Sequence, residues 1–206
     1  MENLLSKNLN IIVASSRPIQ ETLAGRMSRS LTKKANKVCR GLFVILITAP
    51  SMLKAQPLQT VSNVDLNKYA GKWFEIAAFP QRFQKGCHCT TAEYTVSDKG
   101  YVVVENRCNR DSVNGKQSYI KGKAFVEKNT GNAKLNVQFF WPFKGKYWII
   151  DLADDYSYAV VSHPDRKYLW ILSRTPKMNP DTYNQILLRL KEKQFDLTKL
   201  KQTSQI

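Results

Sequence analysis

Two residues of complementary chemistry lie far apart in this chain, each in a short strand-like segment. Trp73 stands in the run Gly71–Ala77, and Arg174 ends the run Tyr168–Arg174. A planar guanidinium can stack on the face of an indole ring, which attracts it electrostatically. The pair could therefore join the first and last strands of a closed sheet and seal one end of it. Such an arrangement favours a cavity over a reaction centre.

Cysteines supply a second kind of chemistry. In a hairpin in which Val96 faces Tyr101, Cys89 lies opposite Cys108, and Cys87 lies diagonally on the same face. Either one could reach Cys108 if the strands are locally twisted. The residues therefore leave two disulfides open, Cys108 with Cys87 or Cys108 with Cys89, and both leave one spare thiol.

The sequence gives little support for a metal site or a catalytic site. His88 lies between Cys87 and Cys89, but adjacent strand residues point to opposite faces and cannot surround one tetrahedral ion. There is also no nucleophile motif, no phosphate-binding glycine loop and no pair of catalytic carboxylates. We therefore predict a protein that is not an enzyme and that has neither a metal site nor a cofactor.

The elements that would position these residues are strands. Turn residues rich in Gly, Asp, Asn and Pro separate the strand-like segments, and no long helical pattern interrupts them. Eight sequential antiparallel strands suit an up-and-down barrel, which leaves no free edge and whose interior can hold one small ligand. The eight predicted strands are Trp73–Phe79, Cys89–Val96, Tyr101–Cys108, Tyr119–Glu127, Lys134–Phe139, Tyr147–Ala153, Tyr158–Ser162 and Tyr168–Ser173.

Helical signals flank the strands. A short helical turn is predicted near its cap Asp65. After the last strand, Asn179 is a good N-cap and Pro180 suits the first helical position. The following apolar stripe includes Ile186 and Leu190, so this C-terminal helix is predicted to pack on the outside of the barrel.

The first 55 residues resemble a targeting segment. Basic residues at 33–40 precede the apolar run Gly41–Leu53, and Ala55 is a small residue suited to cleavage. This order predicts an N-terminal extension with a secretory signal over residues 1–55 and one domain over 56–206. An uncleaved membrane anchor is the alternative. A secretory signal places the mature chain in the periplasm or outside the cell, where disulfides persist.

The charge balance is strongly basic. The chain has 32 Lys and Arg against 16 Asp and Glu, a net charge of +16. Such an excess can indicate nucleic acid or an anionic membrane surface as a partner. The basic residues of 56–206 are scattered and lack regularly placed aromatic side chains for base stacking, so nucleic acid is not predicted.

Three motifs in order resemble the lipocalin family, and within it the bacterial, apolipoprotein D-like lipocalins. Gly71-Lys72-Trp73 is similar to the family's Gly-x-Trp signature, Asp155-Tyr156 to its second motif, and Arg174 to the Arg of its third. The resemblance covers about residues 64–197. It implies a lipocalin barrel in which Gly71, Trp73, Tyr156 and Arg174 close one end.

Two departures from the family pattern are visible. Asp154 stands where a Thr usually precedes the Asp-Tyr pair, and the N-terminal Cys that anchors many bacterial members is missing. We therefore expect no lipid anchor through an N-terminal Cys, although association with the outer membrane stays an expectation. Similar bacterial lipocalins more often carry the Cys that matches Cys87.

Alternate residues of the strands should line the ligand cavity, unless a bulge changes the parity. On the first strand the face of Trp73 also carries Glu75. The predicted ligand-binding residues are Ala77, Phe79, Tyr119, Phe125, Val137, Phe139, Tyr147 and Val160.

The predicted function is to bind or carry a small hydrophobic ligand such as a fatty acid or lysophospholipid. Aromatic residues near the open end, among them Phe140, Trp141 and Phe143, would admit an acyl chain, or alternatively form a homodimer contact. The resemblance adds the alternative of an isomerase that uses the spare thiol inside the barrel. A basic module that contacts membrane surfaces is the third alternative.

Overall fold

The structure, a computed structural model, describes residues 56–205. Its nine strands are β1 (Gly71–Ala78), β2 (Cys87–Val96), β3 (Val102–Arg110), β4 (Gln117–Val126), β5 (Lys134–Phe140), β6 (Phe143–Leu152), β7 (Tyr158–Ser162), β8 (Leu169–Ser173) and β9 (Lys201–Gln202). The helices are α1 (Leu66–Tyr69) and α2 (Pro180–Glu192), with 3₁₀ turns at Arg82–Gln84 and Leu197–Lys199. The predicted extension and signal, residues 1–55, lie outside the described residues.

The first eight strands form a closed barrel. Each pairs antiparallel with the next, and β1 pairs with both β8 and β2, which closes the sheet. The prediction of an eight-stranded up-and-down barrel with a C-terminal helix outside it is therefore confirmed. Among the described residues no helix is long and apolar enough to cross a bilayer.

Both helices begin where the sequence predicts. Asp65 caps α1 by accepting hydrogen bonds from the backbone N–H groups of Asn67 and Lys68. Asn179 caps α2 by accepting from the N–H groups of Asp181 and Thr182, at 2.8 and 3.2 Å. These caps satisfy donors that have no partner within the first helical turn.

The β2–β3 hairpin differs from the predicted register. Val96 pairs with Val102 and not with Tyr101, because the turn holds one more residue than expected. The register then shifts between His88 and Thr91. This β-bulge accommodates one extra residue on β2, and it determines where the cysteines lie.

The C-terminal tail, residues 201–205, completes the barrel wall. β1 pairs with β2 only along its first half, from Gly71 to Phe74. Beyond that point β9 pairs with Ala77 and Ala78 of β1. The tail therefore fills a seam between β1 and β2, which the sequence did not predict.

Two apolar clusters divide the core. The first fills the barrel interior and is centred on Trp73, Tyr94 and Ile149. The second lies between the outer face of β1, β6, β7 and β8 and helix α2, whose Ile186 and Leu190 are buried in it. On these four strands, alternate side chains therefore lie in the interior cluster and in the outer cluster.

Candidate functional site

One end of the barrel is closed by Arg174. Its guanidinium carbon lies 3.8 Å from the centroid of the Trp73 ring. The guanidinium also donates hydrogen bonds to four backbone carbonyls: those of Lys72 at 3.0 Å, Lys68 at 2.6 Å, Tyr69 at 3.3 Å and Tyr156 at 3.3 Å. Burial lowers the pKa of Arg174 from its usual value, and the side chain still keeps its charge at neutral pH. This end is called the closed end below.

Gly71 and Tyr156 lie at the same closed end. Gly71 has φ +92°, and a Cβ there would lie 3.5 Å from Nη1 of Arg174. The hydroxyl of Tyr156 accepts a hydrogen bond of 2.9 Å from the backbone N–H of Asp65, so this turn is tied to the start of α1. The structure thus brings together the four residues predicted for barrel closure.

Three tyrosines fill the interior next to the closed end. The hydroxyl of Tyr147 lies 2.7 Å from that of Tyr69 and 2.8 Å from that of Tyr94. Burial raises the pKa of all three, that of Tyr94 to about 12. The cavity beside these tyrosines measures about 10 Å³, room for about one water molecule.

The opposite end of the barrel, where the β1–β2, β5–β6 and β7–β8 loops lie, is the open end. The interior between the tyrosine cluster and the open end is called the mouth half below, and it contains a buried charged residue. Glu75 is 6% exposed, and its carboxylate accepts hydrogen bonds from Gln84 at 2.9 Å and from Thr203 at 2.6 Å. The amide oxygen of Gln84 in turn accepts a hydrogen bond of 3.1 Å from the indole N–H of Trp170. Burial raises the pKa of Glu75.

Three of the predicted ligand-binding residues face the interior. Val137 and Tyr147 line the small cavity. Phe139 packs against the interior cluster from the adjacent part of β5. These three positions follow the parity expected for β5 and β6.

Three others lie outside the barrel, under α2. Ala77, Phe79 and Val160 belong to the cluster that packs on the helix, so their expected place in the cavity is wrong. For Ala77 and Phe79 the cause is a bulge: the register of β1 against β8 shifts between Glu75 and Ala77. One extra residue in a strand turns every side chain that follows it to the opposite face of the sheet.

Tyr119 and Phe125 lie on the outer face of β4, and their expected place in the cavity is also wrong. On that strand Ala124 belongs to the interior cluster, and residues of the opposite parity face outward. The half-exposed Tyr119 donates a hydrogen bond of 2.6 Å to Glu105. Together with Lys121 it lowers the pKa of Glu105 to about 2. Tyr119 is therefore surrounded by charged side chains and does not line an apolar cavity.

The structure joins Cys87 and Cys108 in a disulfide with a Cα–Cα distance of 5.4 Å. This is one of the two pairings that the residues left open. Cys89 is free and lies in the β2 bulge with φ +49°. Its thiol lies 3.4 Å from the carbonyl oxygen of Gln205, so the C-terminal tail covers it.

Exposed aromatic side chains crowd the tip of the β5–β6 hairpin at the open end. Phe140, Trp141 and Phe143 are 68%, 86% and 77% exposed. Lys144 follows them on β6, and its ammonium lies 4.8 Å from the centroid of the Phe125 ring. The tip is therefore both apolar and basic.

Sequence reasoning missed the tyrosine cluster as a unit. Tyr94 occupies an interior position two residues before Val96 on β2, and strand alternation alone could have placed it there. Its contact with Tyr147 joins strands that do not pair with each other. A single strand pattern carries no signal for such a contact.

A family model described as "Lipocalin-like domain" matches residues 64–205. Temperature-induced lipocalin-1 of Arabidopsis thaliana is 36% identical over 163 residues, 75% of this chain and 86% of that protein. Outer membrane lipoprotein Blc of Escherichia coli (strain K12) is 37% identical over 156 residues, 75% of this chain and 87% of that protein. Apolipoprotein D of Bos taurus is 37% identical over 155 residues, 70% of this chain and 78% of that protein.

Solved structures show the same fold. Insecticyanin from the tobacco hornworm Manduca sexta superposes with a TM-score of 0.60 at 24% sequence identity. The match covers 73% of this chain and 86% of insecticyanin. At this identity the likeness shows the barrel architecture alone.

Proposed function

Because the chain belongs to the lipocalin family, we propose that it binds and carries a small hydrophobic molecule in the mouth half of its barrel. The single observation that carries this proposal is a barrel sealed at one end by Arg174 and Trp73 and lined inside by apolar side chains. A sealed barrel has one route of access, through the loops of the open end. Shape and lining together favour capture of an apolar molecule.

The tyrosine cluster limits how deep a ligand can reach. The cavity beside Tyr69, Tyr94 and Tyr147 has room for about one water molecule. A long acyl chain would have to displace these hydrogen-bonded side chains to pass them. We therefore place the ligand above them, where Phe139 and Trp170 supply apolar surface.

Several observations support an extracytoplasmic location. The disulfide Cys87–Cys108 is of a kind that persists in oxidising compartments. Relatives carry the name outer membrane lipoprotein, and residues 1–55 have the order of a secretory signal. We propose a periplasmic or secreted protein.

A carrier is favoured over an isomerase. The isomerase alternative needs a free thiol that faces a ligand. The thiol of Cys89 lies instead in a wall bulge and contacts the carbonyl oxygen of Gln205. Within residues 56–205 no group of three or more His, Cys, Asp or Glu side chains could hold a metal ion.

Contact with a membrane surface is a second candidate function. It is favoured by the exposed aromatic tip at Phe140, Trp141 and Phe143, next to Lys144. Aromatic rings partition into the interface of a bilayer, and lysine is attracted to anionic lipids. In this arrangement the open end would face the source of an apolar ligand.

The ligand proposal is tested with N-phenyl-1-naphthylamine, an apolar dye, added to protein freed of co-purified lipid. We expect a saturable rise in fluorescence. Phe139→Gln should weaken the affinity for the dye by roughly ten-fold, because a polar side chain replaces an apolar one that a ligand would contact. Phe125→Gln is the matched control, since Phe125 lies on the outer face of the neighbouring strand. Absence of saturable binding in the unaltered protein would refute the carrier proposal.

A further inference from the structure

Among residues 56–205, one carboxyl group is buried inside the barrel without a counter-charge. Glu75 is 6% exposed and takes part in none of the ion pairs among residues 56–205. Its oxygens accept one hydrogen bond each, from Gln84 and Thr203. A carboxylate offers about four acceptor positions, so capacity remains for further donors. A buried charge that lacks a partner is costly and favours the binding of an opposite charge.

The position of Glu75 on β1 directs it into the mouth half. It pairs with Leu172 of the interior cluster, whereas Ala77, beyond the bulge, pairs with Ile171 of the outer cluster. Trp73 is the preceding interior residue of β1, on the side of the closed end. Glu75 is therefore one interior step nearer the open end than the side chain that seals the barrel.

Two further polar groups on the neighbouring strands have no hydrogen-bond partner in the part of the chain that the structure describes. The β1–β2 pairing ends at Phe74 and Thr91, so Glu75 and Thr90 are the next residues on the two sides of the seam, and the side-chain amide of Gln205 bridges their backbone carbonyls at 2.6 and 2.9 Å. Thr90 is 7% exposed, and its hydroxyl has no hydrogen-bond partner within residues 56–205. The buried amide oxygen of Asn106, on β3, likewise has none there. Native proteins leave few buried polar atoms unpaired, so these two oxygens point to a missing donor.

We propose that Glu75, Thr90 and Asn106 form a polar anchor for the protonated amine of an amphiphilic ligand. Carboxylate, hydroxyl and amide oxygens on three adjacent strands present acceptors, and a primary ammonium carries three N–H donors. A carboxylate ligand would instead meet the charge of Glu75 with the same sign. This inference rests on the proposed carrier function and specifies the head group of its ligand.

The route to this anchor passes Gln84. This residue lies in the loop between β1 and β2 at the open end, and its amide covers Glu75 while it accepts the hydrogen bond from Trp170. Rotation of the Gln84 side chain would break its hydrogen bond to Glu75 and free one carboxylate oxygen for a ligand. The apolar part of the ligand would then lie against Trp170 and Phe139, nearer the open end.

The test compares two competitors of equal chain length, dodecylammonium and dodecanoate. Each displaces N-phenyl-1-naphthylamine from the lipid-free protein at pH 7, below its micelle concentration. We expect dodecylammonium to compete at least roughly ten-fold more strongly than dodecanoate, in line with a hydrogen-bonded buried charge. Glu75→Gln should abolish this preference. The matched control Glu105→Gln alters a carboxylate on the outer face and should leave the preference intact.

The outcomes distinguish failure of the anchor from failure of the carrier function. An amine preference that survives in Glu75→Gln, or an unaltered protein that binds both competitors alike, overturns the anchor while the carrier function stands. If neither the dye nor a competitor binds the unaltered protein, both proposals fail. Thr90→Val keeps the size of the side chain and removes one acceptor. This variant should bind dodecylammonium several-fold more weakly than the parent and dodecanoate equally well. Unchanged binding of dodecylammonium would also count against the anchor.

Discussion

Arg174 and Trp73 are 101 residues apart in the sequence, yet the guanidinium carbon of Arg174 lies 3.8 Å from the centroid of the Trp73 indole ring. The same guanidinium donates to the carbonyls of Lys68, Lys72 and Tyr156. One side chain thus links β8, β1, α1 and the β6–β7 turn. The seal depends on the planar shape of the group as much as on its charge.

Arg174→Lys is therefore expected to lower the free energy of unfolding by about 2 kcal/mol, because an ammonium cannot stack as a plane and reach four carbonyls. Urea unfolding monitored by tryptophan fluorescence measures the change. Arg82→Lys, at an exposed site in the β1–β2 loop, is the control and should leave the midpoint unchanged. If the midpoint of Arg174→Lys also equals that of the parent, the contact between Arg174 and Trp73 does not stabilise the fold.

Tyr147→Phe should destabilise the protein by about 1–3 kcal/mol, since it removes the hydroxyl that joins Tyr69 to Tyr94 and leaves both without that partner. Thermal unfolding followed by circular dichroism measures the loss. Tyr119→Phe removes an exposed hydroxyl and should cost much less. A Tyr147→Phe variant as stable as the parent would mean that this cluster is dispensable for folding.

The eight barrel strands, their order and both helix caps could be predicted from the sequence because each follows from local chemistry, whereas β9 could not. Asp65 and Asn179 are capping residues in front of helical segments, and turn residues mark the hairpins. The closed end was also accessible, since Trp73 and Arg174 occur in recognisable motifs. These features need no knowledge of how distant strands meet.

The cavity lining was predicted less well because bulges break the alternation on which such predictions depend. Ala77 faces α2 only because one residue is inserted after Glu75, and the insertion has no glycine or other local mark. On β4 the predicted parity is wrong: Tyr119 and Phe125 are apolar enough to suggest burial, yet both lie on the outer face. The small Ala124 and Gly122 face inward instead, and Gly122 lies against the ring of Phe139.

Glu75→Gln should change how stability depends on pH. Burial raises the pKa of Glu75 above its ordinary 4.5, so between 4.5 and the raised pKa the folded state binds more protons than the unfolded state. The free energy of unfolding of the parent should then fall, relative to the variant, as the pH rises through this window. Urea titrations from pH 4.5 to 8, about the usual working range, would measure the difference. A difference that stays constant with pH would contradict the assignment.

Removal of the C-terminal tail should expose Cys89. The backbone N–H of Cys89 donates to the carbonyl of Ser204 at 2.7 Å, and its thiol contacts that of Gln205. A chain ending at Leu200 should therefore react roughly ten-fold faster with iodoacetamide at this thiol, because local opening is no longer required. Peptide mass mapping identifies the labelled residue. Lys201→Ala keeps the backbone pairing and should react like the parent, and equal rates for the truncated chain would show that the tail does not protect the thiol.

The exposed hairpin tip should direct the protein to anionic bilayers. Replacing Phe140, Trp141 and Phe143 together by Ser should weaken binding to vesicles of phosphatidylglycerol and phosphatidylcholine by at least roughly ten-fold, because apolar area is lost from the interface. Co-sedimentation measures the bound fraction. Leu188→Ser, at an apolar site on α2 that is 63% exposed, is the control and should bind like the parent. If the triple variant binds vesicles like the parent but is a monomer in the ultracentrifuge where the parent is a dimer, the tip joins two copies of the chain instead.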